Sequence, residues 1–292
     1  MTDAATAGAA PRSRVALVIG SGGVKCAAAL GLQQALHEAG IDVDLVVGCS
    51  GGSLYASVTA LGFTLEEAEA ATLKLWTREV TGQRNRRALL QLLFPRAFGF
   101  SEQWGFRRDG LILERLRAAF GQRTFADARI PLHLTATDFH TGEQVVLSEG
   151  PLVPAIRASI AVPFIFAPYR VGGRLLVDGF LSDPLPVNVA MREGASVIVA
   201  MGFESPYQTA VRNPARFAFQ LSSIMTNNLL KSRFAFHNAV HHAEVILVVP
   251  EFEQRVGLFD TWKIPYVIEE GRRAAARHIP YIRRLLGAGR TA

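Results

Sequence analysis

Cysteine is scarce in this sequence. Cys26 and Cys49 are the two among 292 residues, too few for a disulfide framework, and such usage fits a reducing compartment. Charged residues are also few, 19% against 49% hydrophobic, a balance that excludes a wholly disordered chain. The 26 glycines follow no G-X-Y period, which excludes a collagen-like rod. Neither H-E-x-x-H nor C-x-x-C occurs, so no metal and no cofactor is expected. A long unbroken apolar run is missing too. The uncharged stretch 45–65 could span a bilayer by length, but Gly48, Gly51, Gly52 and Gly62 interrupt it, with Ser50, Ser53, Ser57, Thr59 and Thr64. A strand, a sharp turn and a helix account for it better. Residues 1–13 have no apolar h-region; they read as a disordered leader rather than a signal peptide. Acidic residues are outnumbered, 25 to 31, for a net charge of +6 and a pI of about 9.7. That excess suits solubility, an anionic lipid surface or an anionic substrate. Nucleic acid has the same charge signature, but no recognised binding module is present, so none is expected as a partner.

Short buried runs alternate with helical ones. Residues 15–19 and 43–47 read as buried strands, and 24–39, ending at Gly40, as a helix with a glycine cap. Residues 52–61 and 65–79 read as helices, the second opened by Thr64 with Glu67 at capping-box spacing. Strands are expected at 132–137 and 144–147, a helix at 153–160, and a hairpin of 165–171 with 174–177 about Gly172-Gly173. Residues 196–201 and 245–249 are two further strands with a long helix, 214–241, between them. Residues 262–286 read as a final helix kinked or broken at Pro280. Such alternation implies a mainly parallel sheet covered on both faces, with 14–288 forming one domain.

Three constellations carry chemistry. Gly48-Cys49-Ser50-Gly51-Gly52 matches G-x-S-x-G, directly after a buried strand and before a helix, where a nucleophile elbow belongs. The helix N-terminus behind Ser50 favours developing negative charge. Gly20-Ser21-Gly22-Gly23-Val24-Lys25 lies between the first strand and first helix, where successive N–H groups cradle an anion: a phosphate or an acyl-transfer oxyanion. It matches neither the P-loop nor the dinucleotide spacing. Asp178-Gly179 follows the 174–177 strand, and upstream stands Ala158-Ser159-Ile160-Ala161-Val162-Pro163-Phe164-Ile165-Phe166.

GSGGVK, GCSGG, ASIAVPFIF and LLVDGFLSDPLPV, in this order, resemble the patatin-like phospholipase family over about residues 14–200. The stretch Phe259-Asp260 to Gly271 is similar to the family's closing helix. The resemblance implies a three-layer α/β fold with a mainly parallel central sheet. It implies Ser50 as nucleophile with Asp178 as its partner in a Ser–Asp dyad, and the loop Gly20, Ser21, Gly22, Gly23 and Lys25 as oxyanion hole, with Gly22 and Gly23 the expected donors. An aspartate of ordinary pKa, about 3.9, is a poor base at neutral pH, so Asp178 must lie close to Ser50 and out of water. The implied substrate is a phospholipid or lysophospholipid, cleaved through an acyl-enzyme. Lys25 stands where the family has Arg, Cys26 where it has glycine and Phe180 where it has a small residue; Cys49 and Gly51 vary the elbow. None of these removes a catalytic group. The residues leave open a soluble carboxylesterase or thioesterase, a weakly catalytic lipid-binding regulatory module and a nucleotide-binding module. A triad of Ser50, Asp178 and His241 has the right chain order but no local support.

The Arg-rich segment 84–108 carries Arg84, Arg86, Arg87, Arg96, Arg107 and Arg108 around Leu89-Leu90-Gln91-Leu92-Leu93-Phe94. A basic amphipathic stretch of this kind can lie on an anionic membrane; the plainer reading is a solvated helix with its leucines on the core. The missing targeting signals make the expected location cytoplasmic, and the first reading would place the protein at the periphery of the inner face of the membrane.

Overall fold

The structure, a computed structural model, describes residues 13–75, 85–204, 207, 211, 214–240, 243–257 and 260–288. In chain order its elements are β1 (Val15–Ile19), α1 (Ala28–Glu38), β2 (Leu45–Cys49), α2 (Gly51–Ala60), α3 (Leu65–Leu75), α4 (Arg86–Leu93), α5 (Pro95–Phe98), α6 (Gly110–Phe120), β3 (Leu132–Asp138) and β4 (Gln144–Leu147). Beyond these come α7 (Leu152–Ser159), β5 (Tyr169–Val171), β6 (Arg174–Asp178), α8 (Val187–Arg192), β7 (Val197–Met201), α9 (Pro214–Val240), β8 (Glu244–Val248), α10 (Ile264–Ala276) and α11 (Ile279–Ala288).

The sheet runs β5-β6-β3-β2-β1-β7-β8, with β4 on β3. From β3 to β8 the pairings are parallel; β4, β5 and β6 add antiparallel pairings at one side. All five residues of β1, β2 and β7 are buried, because a sheet covered on both faces must be apolar at every position. Alternation decides which face each one fills. Val15, Leu17 and Ile19 join Val197, Val199 and Met201 in a core closed by α1, α2 and α10. Ala16 and Val18 join Ile198 and Ala200 in a second core beneath α8. The result is the expected three-layer α/β fold.

Several boundaries differ from expectation. The helix expected at 24–39 opens as a 3-10 turn, Gly23–Ala27, and becomes α-helical at Ala28. The second strand is Leu45–Cys49 rather than 43–47, so it delivers the chain directly to Ser50. Residues 165–168 are not strand; the hairpin begins at Tyr169. The final helix is two, and Pro280 stands in the first turn of α11, where its missing N–H costs nothing. The Thr64–Glu67 capping box forms in both directions. The expected leader, Ser13 apart, lies outside the described residues, as do Arg84, His241 and His242.

Strand β3 is the junction between the parallel and antiparallel parts of the sheet. Leu134 to Thr137 pair with β4 along one edge. On the other edge β2 occupies Leu132 to Thr135 and β6 occupies Ala136 to Asp138. Strand β2 runs parallel to β3 and β6 runs antiparallel, so their C-terminal ends meet head-on: Cys49 faces Thr135 and Asp178 faces Ala136.

Candidate active site

The head-on meeting of β2 and β6 brings the two candidate catalytic side chains together. Ser50 Oγ donates to Asp178 Oδ2 at 2.7 Å. Ser50 has φ 54° and ψ −127°, a backbone region that non-glycine residues occupy at a cost. The strain is held from several sides. Ser50 N donates to Ser159 Oγ at 2.9 Å, and Ser159 Oγ donates to Thr135 O at 2.7 Å. Ser50 O accepts from Ser53 Oγ and Ser53 N. The flanking glycines permit the fit: a Cβ on Gly52 would lie 2.3 Å from Ile19 O, and one on Gly51 within 2.9 Å of the Gly23 backbone. The elbow therefore presses directly against the glycine loop after β1.

Asp178 is fully buried. Burial pushes its carboxyl up to about 7. The Ser50 hydroxyl, the Phe180 N–H on Oδ1 at 3.1 Å and the positive charge of Arg157 pull the other way. At neutral pH the group is thus poised between its two forms, as a general base requires. The serine contacts the carboxylate directly, with no imidazole interposed, which differs from the triad arrangement.

The loop Gly20 to Lys25 divides its tasks. Gly20 N donates to Met201 O and Ser21 N to Pro184 O. These two N–H groups are committed to the fold. Lys25 also turns away: its Nζ donates to Glu204 O at 3.1 Å and lies 5.8 Å from the centre of the Phe252 ring. Desolvation lowers its pKa. Gly22 and Gly23 remain beside Ser50 on the wall of a cavity of about 510 Å³.

That cavity is apolar for most of its lining. Phe164, Phe180 and Leu181 close one part, and Phe219, Leu221 and Met225 of α9 another. Of these, Phe164, Phe180 and Leu181 lie in the segments that carry the family resemblance, whereas the α9 residues do not. No local pattern in the long 214–241 stretch tells which of its faces meets Ser50. Ser159 lies in one of the segments that carry the resemblance, but its role as acceptor for Ser50 N shows only in the tertiary structure. Both thiols are buried and pushed up by burial. Cys26 Sγ donates to Gly20 O and Cys49 Sγ to Asp183 O, so each fills space and fastens backbone.

Residues 17–191 match the family model for patatin-like phospholipase. The chain belongs to that family. It is 37% identical over 188 residues to an uncharacterised NTE family protein of Mycobacterium tuberculosis, covering 64% of this chain and 48% of that protein. It is 29% identical over 205 residues to patatin-like phospholipase domain-containing protein 7 of Rattus norvegicus, covering 68% of this chain and 14% of that one. The matched region thus spans half or less of these relatives. Among solved structures, VipD from Legionella pneumophila shares the fold at a TM-score of 0.50 and 16% identity, over 94% of this chain and 68% of VipD. Among the described residues of this patatin-like chain, no helix is long and apolar enough to cross a membrane.

Proposed function

We propose that this patatin-like chain is a lipid acyl hydrolase. The single observation that carries the reading is the 2.7 Å bond from Ser50 Oγ to Asp178 Oδ2 beside an apolar cavity. Asp178 takes the Ser50 proton as Oγ attacks the ester carbonyl. The N–H groups of Gly22 and Gly23, with the N-terminus of α2, stabilise the oxyanion. Collapse expels the alcohol, which receives the proton, and leaves an acyl-Ser50 ester. Water, deprotonated by Asp178, then attacks that ester; the acyl–Oγ bond breaks, Ser50 Oγ takes the proton back from Asp178, and the fatty acid is released. A phospholipid or lysophospholipid offers the long acyl chain that such a cavity takes from water. The Arg-rich segment 84–108 would hold the protein at the periphery of an anionic membrane.

The test is to incubate the protein with mixed phospholipid and lysophospholipid vesicles and identify the products by mass spectrometry, beside Ser50→Ala and Asp178→Asn. Fatty acid from the parent and from neither variant is the expected result. Release that survives Ser50→Ala removes the mechanism. Release confined to short soluble esters replaces the lipid substrate with a small acyl one.

A further inference from the structure

The described part of the Arg-rich segment is not a solvated helix with its leucines on the core. In α4 and just beyond it, Leu89, Leu92, Leu93 and Phe94 are each more than half exposed, and Phe98 and Phe100 beyond them are exposed as well. Exposed apolar side chains packed this closely mark a surface that meets something. Its charge says what. Residues 85–109 contain Arg86, Arg87, Arg96, Arg107 and Arg108 against two acids. Both acids are paired: Glu102 with Arg170 at 3.0 Å and Asp109 with Arg157 at 2.6 Å. Exposed apolar side chains in one stretch with the exposed Arg87, Arg96 and Arg108 complement an anionic lipid bilayer.

This face is also fastened to the cavity. Trp104 Nε1 donates to Ala88 O of α4 at 3.0 Å, and Asn85, which caps α4, donates from its side chain to Gly105 O. The Trp104 ring packs against Phe100 at 5.9 Å and edge-on against Phe164 at 6.4 Å. Phe106 N donates to Phe164 O and Arg107 N to Ile165 O. Phe164 lines the cavity beside Ser50 and holds φ 68°, a conformation rare for an aromatic residue and kept only where its surroundings impose it.

We propose that the face formed by α4, α5 and residues 94–100 docks on an anionic lipid bilayer, and that Trp104 couples this docking to acyl-chain access past Phe164. The second clause rests on the proposed hydrolase reading; the first does not. Inserting Leu92, Leu93 and Phe94 below the headgroups places α4 in the interface. Trp104 transmits the position of α4 to Phe164 through one hydrogen bond and one ring contact. Trp104 is a positioning residue: it touches Phe164, not the substrate.

Docking is read by co-sedimentation of the full chain with phosphatidylglycerol vesicles and with phosphatidylcholine vesicles. The wild type is expected to bind the first, and the folded triple variant Leu92→Ser, Leu93→Ser, Phe94→Ser to bind at least about tenfold more weakly. Equal binding by variant and wild type overturns the docking face. So does a dimer, seen by light scattering, that the triple variant dissolves, because the occupant is then a second copy. Coupling is read by the ratio of vesicle-lipid hydrolysis to p-nitrophenyl butyrate hydrolysis. Trp104→Ala is expected to lower that ratio about tenfold while still sedimenting with vesicles, and Trp104→Phe to restore part of it. An unchanged ratio overturns the coupling. A wild type that hydrolyses neither substrate overturns the hydrolase reading and leaves the sedimentation result to decide docking by itself.

Discussion

Ser50 and Asp178 lie 128 positions apart in sequence and are joined by a 2.7 Å hydrogen bond. Strand β3 makes the junction: its consecutive residues Thr135 and Ala136 face Cys49 and Asp178. A change that shifts either strand by one residue would turn its side chains to the opposite face and separate the pair.

The proposed mechanism makes the pH dependence of the reaction a property of Asp178. Its carboxyl is pushed up to about 7 by burial, and a carboxyl can accept a proton only when ionised. The kcat/KM for a soluble ester should rise with pH and level off above a midpoint near 7. Asp183, also buried, is raised to about 6 and titrates nearby, so the profile should be compared with that of Asp183→Asn. A flat profile from pH 5 to 9 would deny Asp178 the role of base.

The same shift sets a stability trend. Because the folded value of about 7 lies above the ordinary 3.8, the fold favours the protonated acid. That preference is fully present below about pH 4 and is lost as pH rises through about 7. The Asp178→Asn protein should therefore gain stability relative to wild type between pH 4 and pH 8, by on the order of a few kcal/mol. Urea denaturation of both proteins at the two pH values measures it. A stability difference that does not change with pH would mean that burial does not raise Asp178.

Ser159 holds the elbow. Ser159→Ala leaves Ser50 N and Thr135 O without the hydroxyl they share, which should cost about 1–3 kcal/mol and lower turnover by loosening the strained Ser50 backbone. A denaturation midpoint equal to that of wild type would show that water replaces the hydroxyl. Ser159→Thr retains the hydroxyl and should lose less.

Arg157 is fully buried and its Nη2 serves both Asp109 at 2.6 Å and Ala167 O at 3.0 Å. The rings of Phe166 and Tyr169 lie 5.1 and 5.2 Å from the guanidinium. Asp109→Leu strands the buried cation and should destabilise by about 3 kcal/mol, the lower end of the range because Asp109 is partly exposed. Adding Arg157→Met should recover part of that loss. A double variant less stable than Asp109→Leu alone would show that the cation is held by its rings and by Ala167, not by Asp109.

Phe180 can be truncated without disturbing the dyad, because its bond to Asp178 comes from the backbone N–H. Phe180→Ala should widen the cavity beside Ser50 and shift preference toward bulkier acyl groups, seen as a KM change across an ester series. An unchanged series would show that Phe164 and α9 alone shape that wall.

Much of this was legible in the chain itself. The runs 15–19 and 197–201 are apolar at every position because both faces of the sheet are covered, and that marks buried parallel strands. Glycine and serine at 48–52 declare a strained turn, because few other residues survive contacts as close as that of Gly52 with Ile19. Thr64 and Glu67 declare a helix start, since a capping box is closed within four residues.

What the sequence determined by itself was local: which segments are buried, where the chain turns sharply, and the order of motifs that marks the family. Tertiary structure decided what depends on contacts between distant segments. It set β2 and β6 end to end on β3, buried Asp178 so that its carboxyl is pushed up to about 7, and tied up the N–H groups of Gly20 and Ser21 while leaving Gly22 and Gly23 at the cavity. It also turned one face of α9 toward Ser50 and left the leucines of α4 exposed. Periodicity says that a helix has two faces; only packing decides which of them is covered.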